Sequence, residues 1–238
     1  MRTVLITGGS RGIGAAMVER FSKDGYNVAF TYSKSEEEAT LLAKKTGALA
    51  LRADSRIESE VLSAVKTASE KLGSVDILIN NAAVSSFSLF TDLTLMDWRD
   101  IFAVNVDGAF LYTKAVLPSM VNKKYGRIIN ISSMWGITGS SCEVHYSATK
   151  SALIGMTKAL AKEVGPSGIT VNCIAPGLIN TDMNKSLSEE DKAALIEETP
   201  LMRIGEPSDV AETALFLASD GASFITGEVI NVSGGYII

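Results

Sequence analysis

The first fourteen residues of the chain constrain its fold more than any other stretch. Thr3-Val4-Leu5-Ile6-Thr7 is a short β-branched run, Gly8-Gly9-Ser10-Arg11-Gly12-Ile13-Gly14 follows it at once, and a helix-forming stretch opens at Ala15 and runs over residues 15–23. A strand, a glycine turn and a helix N-terminus in that order leave backbone N–H groups pointing outward at the positive end of a helix dipole, which suits an anion such as a pyrophosphate. The spacing is Gly-x-x-x-Gly-x-Gly rather than the commoner Gly-x-Gly-x-x-Gly.

The rest of the chain repeats the strand and helix alternation. Residues 28–32, 48–51, 75–79, 127–131, 169–174 and 228–232 read as further strands, and residues 57–72, 97–122, 146–163 and 209–218 as helices, with Pro118 a candidate kink. Such alternation predicts right-handed crossovers and an α/β fold: a doubly wound parallel sheet, helices on both faces, ligands along the C-terminal edge of the strands. At 238 residues the whole of 1–238 is expected to form a single domain. Residues 182–200 are polar and weakly helical, the pattern of a mobile lid over a substrate.

Composition narrows the function. With 46% apolar residues, 21% charged residues and a net charge of -5, neither disorder nor a nucleic-acid surface is expected. Cys142 and Cys173 are the only cysteines, no secretory leader precedes the first strand, and no apolar run could span a membrane, so a soluble cytoplasmic protein is expected. The single histidine, His145, leaves little for a His-based metal site or a Ser-His-Asp triad, and it reads as a pocket wall or surface residue.

The end of the second strand bears on the cofactor. A site for NAD places an acid about 20 residues after the glycines, on the ribose 2′-hydroxyl. Here Tyr32, Ser33 and Lys34 hold that place and the first acid is Glu36, while Arg11 and Lys34 are free to meet a 2′-phosphate, so NADP(H) is favoured. Asp54, after the third strand, is read as either an acceptor for the adenine amino group or a cap for the helix that follows.

Tyr146 and Lys150 stand four apart on one helix face, and an ammonium beside a phenol favours the phenolate. Ser133 lies thirteen residues upstream, where an apolar strand opens onto a loop, and its hydroxyl could bond the oxygen that Tyr146 protonates. Asn105, in the middle of the long helix 97–122, is either a water anchor or a packing bond.

With the glycine turn, Asn80-Asn81-Ala82, Asn105, Ser133 and the Tyr146/Lys150 pair together, the chain resembles the short-chain dehydrogenase/reductase family over its whole length. The resemblance implies a seven-stranded Rossmann-type sheet, a homotetramer, and a tetrad in which Ser133 orients a substrate carbonyl and Tyr146 protonates it. Lys150 would lower the phenol pKa and hold the nicotinamide ribose, and Asn105 would keep a water in the proton relay. Cofactor contacts are implied from Gly8, Ser10, Arg11, Gly12, Ile13, Gly14, Tyr32, Ser33, Asp54, Ser55, Asn81, Ala82, Tyr146, Lys150, Pro176, Gly177, Ile179 and Thr181. Trp135, Glu143 and Met183 would line the substrate pocket. Ala83 departs from the glycine usual in the family after Asn-Asn-Ala.

Within the family, Pro176-Gly177-Leu178-Ile179-Asn180-Thr181-Asp182-Met183 and Phe224-Ile225-Thr226-Gly227-Glu228 are similar to 3-oxoacyl-acyl-carrier-protein reductases, which receive an acidic acyl carrier protein on basic residues. Lys123 and Lys124 fit such a patch, whereas Ser167 stands where a second basic residue is typical. Ser132-Ser133-Met134-Trp135-Gly136 with Gly139-Ser140-Ser141-Cys142-Glu143-Val144 is similar instead to the reductases that finish the 5-aminopentanone modification of elongation factor P. Glu143 would then pair with a substrate ammonium, or else act as a helix N-terminal acid. An NADP(H)-binding scaffold without turnover is the alternative of another class, and the apolar end Tyr236-Ile237-Ile238 reads as an oligomer contact.

Overall fold

The computed structural model describes residues 1–184 and 188–237. Seven strands, β1 (Thr3–Ile6), β2 (Asn27–Tyr32), β3 (Leu49–Arg52), β4 (Ile77–Asn80), β5 (Gly126–Ile131), β6 (Ile169–Pro176) and β7 (Val229–Val232), form one sheet in the order β3-β2-β1-β4-β5-β6-β7. Every pairing is parallel. The order reverses between β1 and β4, and the crevice at such a switch point is where doubly wound sheets take their ligands.

The helices cover both faces. α1 (Gly12–Lys23), α2 (Glu36–Thr46) and α9 (Pro207–Ala218) bury Met17, Phe21, Leu42, Val210 and Leu217 against Val4, Ile6, Phe30 and Ile129. On the other face α3 (Glu58–Leu72), α5 (Gly108–Lys123) and α7 (Val144–Val164) bury Val61, Tyr112, Met120 and Ala161 against Leu5, Leu78 and Ile128. Each large side chain so enclosed contributes about 1.5–3 kcal/mol, which is why strands covered on two sides read as unbroken apolar runs. Between β4 and β5 the core turns polar: Asn80 donates to Asn130 at 2.9 Å and to Thr113 at 3.0 Å, and Asn130 to Thr157 at 2.8 Å. This buried chain of amides and hydroxyls fixes α5 and α7 relative to the two central strands.

The helix expected over residues 97–122 and its kink change. The single helix over residues 97–122 is three pieces: α4 (Leu95–Phe102), a π-helical turn (Ala103–Asp107) and α5. α5 continues through Pro118, so the irregularity falls at Asn105 instead. α2 is a helix the apolar pattern does not announce, since only Ala39 and Leu42 of its eleven residues are buried, although Glu36, Glu37 and Glu38 in its first turn, Lys44 and Lys45 in its last and Gly47 after it are helix signals. The segment expected to form a lid contains a short 3₁₀ turn (Asp182–Asn184) and α8 (Glu189–Glu197), and its residues 185–187 lie outside the described residues. The Tyr236 ring meets Trp135 edge-on at 5.8 Å, while residue 238 lies outside the described residues.

Candidate active site

The site is assembled at the C-terminal edge of β1, β4, β5 and β6. The glycine turn closes there because its residues have no side chains: a Cβ on Gly14 would lie 2.2 Å from the Gly8 carbonyl oxygen, and one on Gly8, itself at φ +63°, would lie 2.8 Å from the Ala82 Cα. Asn81 binds the turn from below, its amide donating to the carbonyls of Thr7 at 2.9 Å and Gly8 at 3.0 Å. Thr7 returns the tie, its hydroxyl accepting from the N–H groups of Asn81 and Ala82, both at 2.9 Å. Nothing in the sequence separates Thr7 from an ordinary strand residue, so sequence reasoning misses it. Arg11 precedes α1 with extended backbone and an exposed side chain, and no side chain caps the first N–H groups of α1. That open N-terminus over a Cβ-free cradle fits a dinucleotide diphosphate.

The expected contacts at the far side of the turn are placed as follows. Ser10, Ile13 and Tyr32 are half-buried and Ser33 and Lys34 exposed, all near the ends of β1 and β2. Thr181 comes over from the loop after β6, and a Cβ on Gly12 would meet its methyl at 3.3 Å. Pro176 ends β6 and accepts from Met134 N–H at 2.8 Å, Gly177 packs on Ser233, and the Ile179 side chain is buried in the core. Ser55 is buried beside Gly108. Asp54 makes a local turn, accepting from the Arg56 N–H at 3.0 Å and, through both oxygens, from its guanidinium. Arg56 holds the Asp54 carboxyl below its usual range.

Tyr146 and Lys150 are buried together on α7, with Ser133 at the end of β5. The Ser133 hydroxyl interacts with the phenol and accepts from Trp135 N–H at 3.1 Å, at the head of the one-turn α6 (Trp135–Thr138). Lys150 Nζ donates to the Ile131 carbonyl at 2.8 Å and stands 5.5 Å from the Tyr146 ring centre. Burial governs both titrations. It pushes the phenol up, Glu143 adding to the shift and Ser133 opposing it, and it pushes the ammonium down to about 8, against the pull of Cys173. In this arrangement burial comes first among the causes of the Tyr146 shift and sets its direction.

Asn105 makes side-chain packing bonds. Its amide donates to the Val84 carbonyl at 2.9 Å and to Thr149 Oγ1 at 3.1 Å, while its oxygen accepts from Val84 N–H at 2.9 Å, so both amide hydrogens are used inside the protein. Thr149 in turn donates to the Tyr146 carbonyl at 2.7 Å, linking the loop after β4 to the helix that carries the phenol. His145 is fully buried with Nε2 2.6 Å from Ser86 Oγ, pinning the same loop, and burial lowers its pKa. Glu143 is half-buried; among the described residues its carboxylate accepts one hydrogen bond, a long one from Ser85 at 3.4 Å, and burial raises its pKa. Met183 is 46% exposed on the 3₁₀ turn. Lys123 and Lys124 do not flank this site: they precede β5 at the opposite edge of the parallel sheet, and Lys123 is bound to Asp76 at 2.7 Å.

A family model described as enoyl-(acyl carrier protein) reductase matches residues 8–237. The chain belongs to the short-chain dehydrogenase/reductase family. Among its relatives, the 3-oxoacyl-[acyl-carrier-protein] reductase FabG of Aquifex aeolicus (strain VF5) is 43% identical over 236 residues, 97% of this chain and 95% of the relative. The 3-oxoacyl-[acyl-carrier-protein] reductase of Synechocystis sp. is 39% identical over 243 residues, 100% of this chain and 97% of the relative. Of solved structures, a blue fluorescent protein from a metagenomic library in complex with NADPH superposes with a TM-score of 0.94 at 38% identity, covering 100% of this chain and 98% of that one. A mutant form of a Serratia marcescens short-chain dehydrogenase/reductase gives 0.93 at 35% identity, covering 99% of this chain and 97% of that one. Like other short-chain dehydrogenase/reductases the chain is an oxidoreductase that uses a nicotinamide cofactor. No helix among the described residues is long and apolar enough to cross a membrane.

Proposed function

We propose that the chain is an NADPH-dependent ketone reductase whose substrate is a 3-oxoacyl thioester carried by an acyl carrier protein. The observation that carries this reading is the meeting of a buried phenol, a buried ammonium and a strand-end hydroxyl beside a Cβ-free anion cradle. The relatives' names supply the substrate class.

The glycine turn, Asn81 and the loop 176–181 would hold the nicotinamide cofactor, which when bound would supply a hydride equivalent. Ser133 Oγ bonds the carbonyl oxygen, and the Tyr146 hydroxyl gives that oxygen its proton, making the secondary alcohol. Burial keeps the phenol protonated but makes it a weaker acid, and the phenolate left behind has the Lys150 ammonium as its near cation. Asn105 and Thr149 act on placement, by holding the Tyr146 backbone against the loop after β4. Preference for the 2′-phosphorylated cofactor follows from Arg11 and Lys34 and from the absence of an acid at the end of β2.

One observation favours a second reading. The Glu143 carboxylate, close enough to Tyr146 to act on its titration, is partly desolvated and has no cation partner among the described residues. A ketone bearing an ammonium, such as an aminopentanone on a modified lysine of elongation factor P, would supply one. Parallel assays of an acetoacetyl thioester and an aminopentanone decide between them. Tyr146→Phe should cut turnover of the preferred ketone at least about 100-fold with NADPH binding retained. Full turnover in that variant would overturn the reductase mechanism, and cofactor binding without turnover in the parent would favour a scaffold.

A further inference from the structure

Arg11 and Lys34 leave a third cation of the same neighbourhood unassigned. Arg52 is the last residue of β3, opposite Tyr32 in register, and the Ala53 N–H donates to the Tyr32 carbonyl at 2.9 Å, so the two strand ends are bonded side by side. Its face follows from the period of two along β3. Leu49 and Leu51 pack into the cluster beneath α3 and α5, whereas Ala50 packs into the cluster beneath α1 and α2, which puts Arg52 on the α1–α2 face. Phe30 and Tyr32 stand on that face too.

The glycine turn crosses the same face. A Cβ on Gly9 would meet the Phe30 Cβ at 2.5 Å, and the Gly9 N–H donates to the Thr31 carbonyl at 2.9 Å. β1 and β3 are separated by two strand spacings, roughly 10 Å, which a ribose with its flanking phosphates can span. Local acids do not claim the guanidinium. Asp54 is taken by Arg56, Glu60 accepts the Asp54 N–H, and among the described residues neither Arg52 nor Lys34 forms an ion pair, even with Glu36, Glu37 and Glu38 in the first turn of α2. Lys34 is near enough to act on the Asp54 carboxylate, so the end of β2 and the loop after β3 share one field.

We infer that Arg52 is a specificity-determining residue of the nucleotide site, its guanidinium joining Arg11 and Lys34 around the 2′-phosphate. This rests on the NADP(H) reading above. A guanidinium matches phosphate geometrically and stays charged at any working pH, whereas the 2′-hydroxyl of NADH gives it no anion to hold.

The test is equilibrium binding of NADPH and NADH, followed by cofactor fluorescence, to the intact chain and to Arg52→Ala and Arg52→Lys at low and high salt. Loss of one charge-assisted phosphate contact should weaken NADPH roughly ten- to hundredfold, with NADH changed less than about twofold, partial rescue by Arg52→Lys, and a smaller effect at high salt. Arg52 is exposed, so the variant should unfold at the parent's temperature. A parent that prefers NADPH with an unchanged NADPH to NADH ratio in Arg52→Ala overturns this inference alone. A parent that binds both equally overturns the NADP(H) reading, and this inference with it.

Discussion

Lys150 donates from a buried ammonium to the carbonyl of Ile131 at 2.8 Å, joining the helix that carries Tyr146 to the end of the central strand β5. Holding that charge out of water has a measurable consequence. With its folded pKa depressed to about 8, Lys150 loses its proton in the folded chain while the unfolded chain still binds one. Stability from this group therefore rises with pH between about 8 and the ordinary lysine value, by on the order of 3 kcal/mol at most. Tyr146 has the opposite sign, since its raised pKa means that the unfolded chain ionises first and stability falls above about 10. Urea unfolding from about pH 7 to 10.5 should show Lys150→Met gaining most over the parent at the lower end, with the gap closing as pH rises. A gap independent of pH would show that Lys150 is not desolvated.

Glu143 raises the Tyr146 pKa from three residues away. Removing its charge in Glu143→Gln should make the phenolate easier to form, so the alkaline limb of the kcat/KM profile moves to lower pH. With a neutral ketone the plateau should stay within about twofold; with an ammonium-bearing ketone it should fall roughly tenfold or more. Equal plateaus on both substrates would leave Glu143 with a helix-terminal role only.

Asn105 spends both amide hydrogens and its oxygen on Val84 and Thr149. Asn105→Ala leaves buried partners unsatisfied and should cost on the order of 3 kcal/mol, about 6–12 °C in Tm. Calorimetry on the variant checks this, and a loss below about 1 kcal/mol would mean that water replaces the amide without strain.

The parts of this fold that are legible in sequence are those where one requirement dominates. Strands such as Ile77–Asn80 are buried on both faces and so must be apolar throughout, and Gly8, Gly12 and Gly14 stand where side chains would collide or the backbone is left-handed. What stays hidden depends on partners distant in sequence. The π-helical turn at Asn105 is set by Val84 and Thr149, which no helical period announces. α2 buries too little to show an apolar stripe, and the contact of Tyr236 with Trp135 joins segments about a hundred residues apart. The direction of the Tyr146 shift is hidden for the same reason: the four-residue spacing shows that Lys150 is near, but not that burial dominates both groups.

Two glycines should respond to the same substitution with opposite sign. A Cβ on Gly14 would lie 2.2 Å from the Gly8 carbonyl oxygen and 2.8 Å from Asn81 Nδ2, displacing the bond that closes the cradle. Gly14→Ala should therefore destabilise the chain by about 2 kcal/mol or more and weaken NADPH at least about tenfold, because backbone N–H groups aimed at the diphosphate move together with the turn. Gly155 lies on the exposed side of α7, where a Cβ would meet nothing within 4 Å. Gly155→Ala should raise stability by about 0.5–1 kcal/mol, since alanine loses less backbone entropy in a helix, with NADPH affinity unchanged. Denaturant midpoints and NADPH titrations on the two variants read both effects, and a Gly14→Ala chain that binds NADPH like the parent would remove the glycine cradle from the cofactor site.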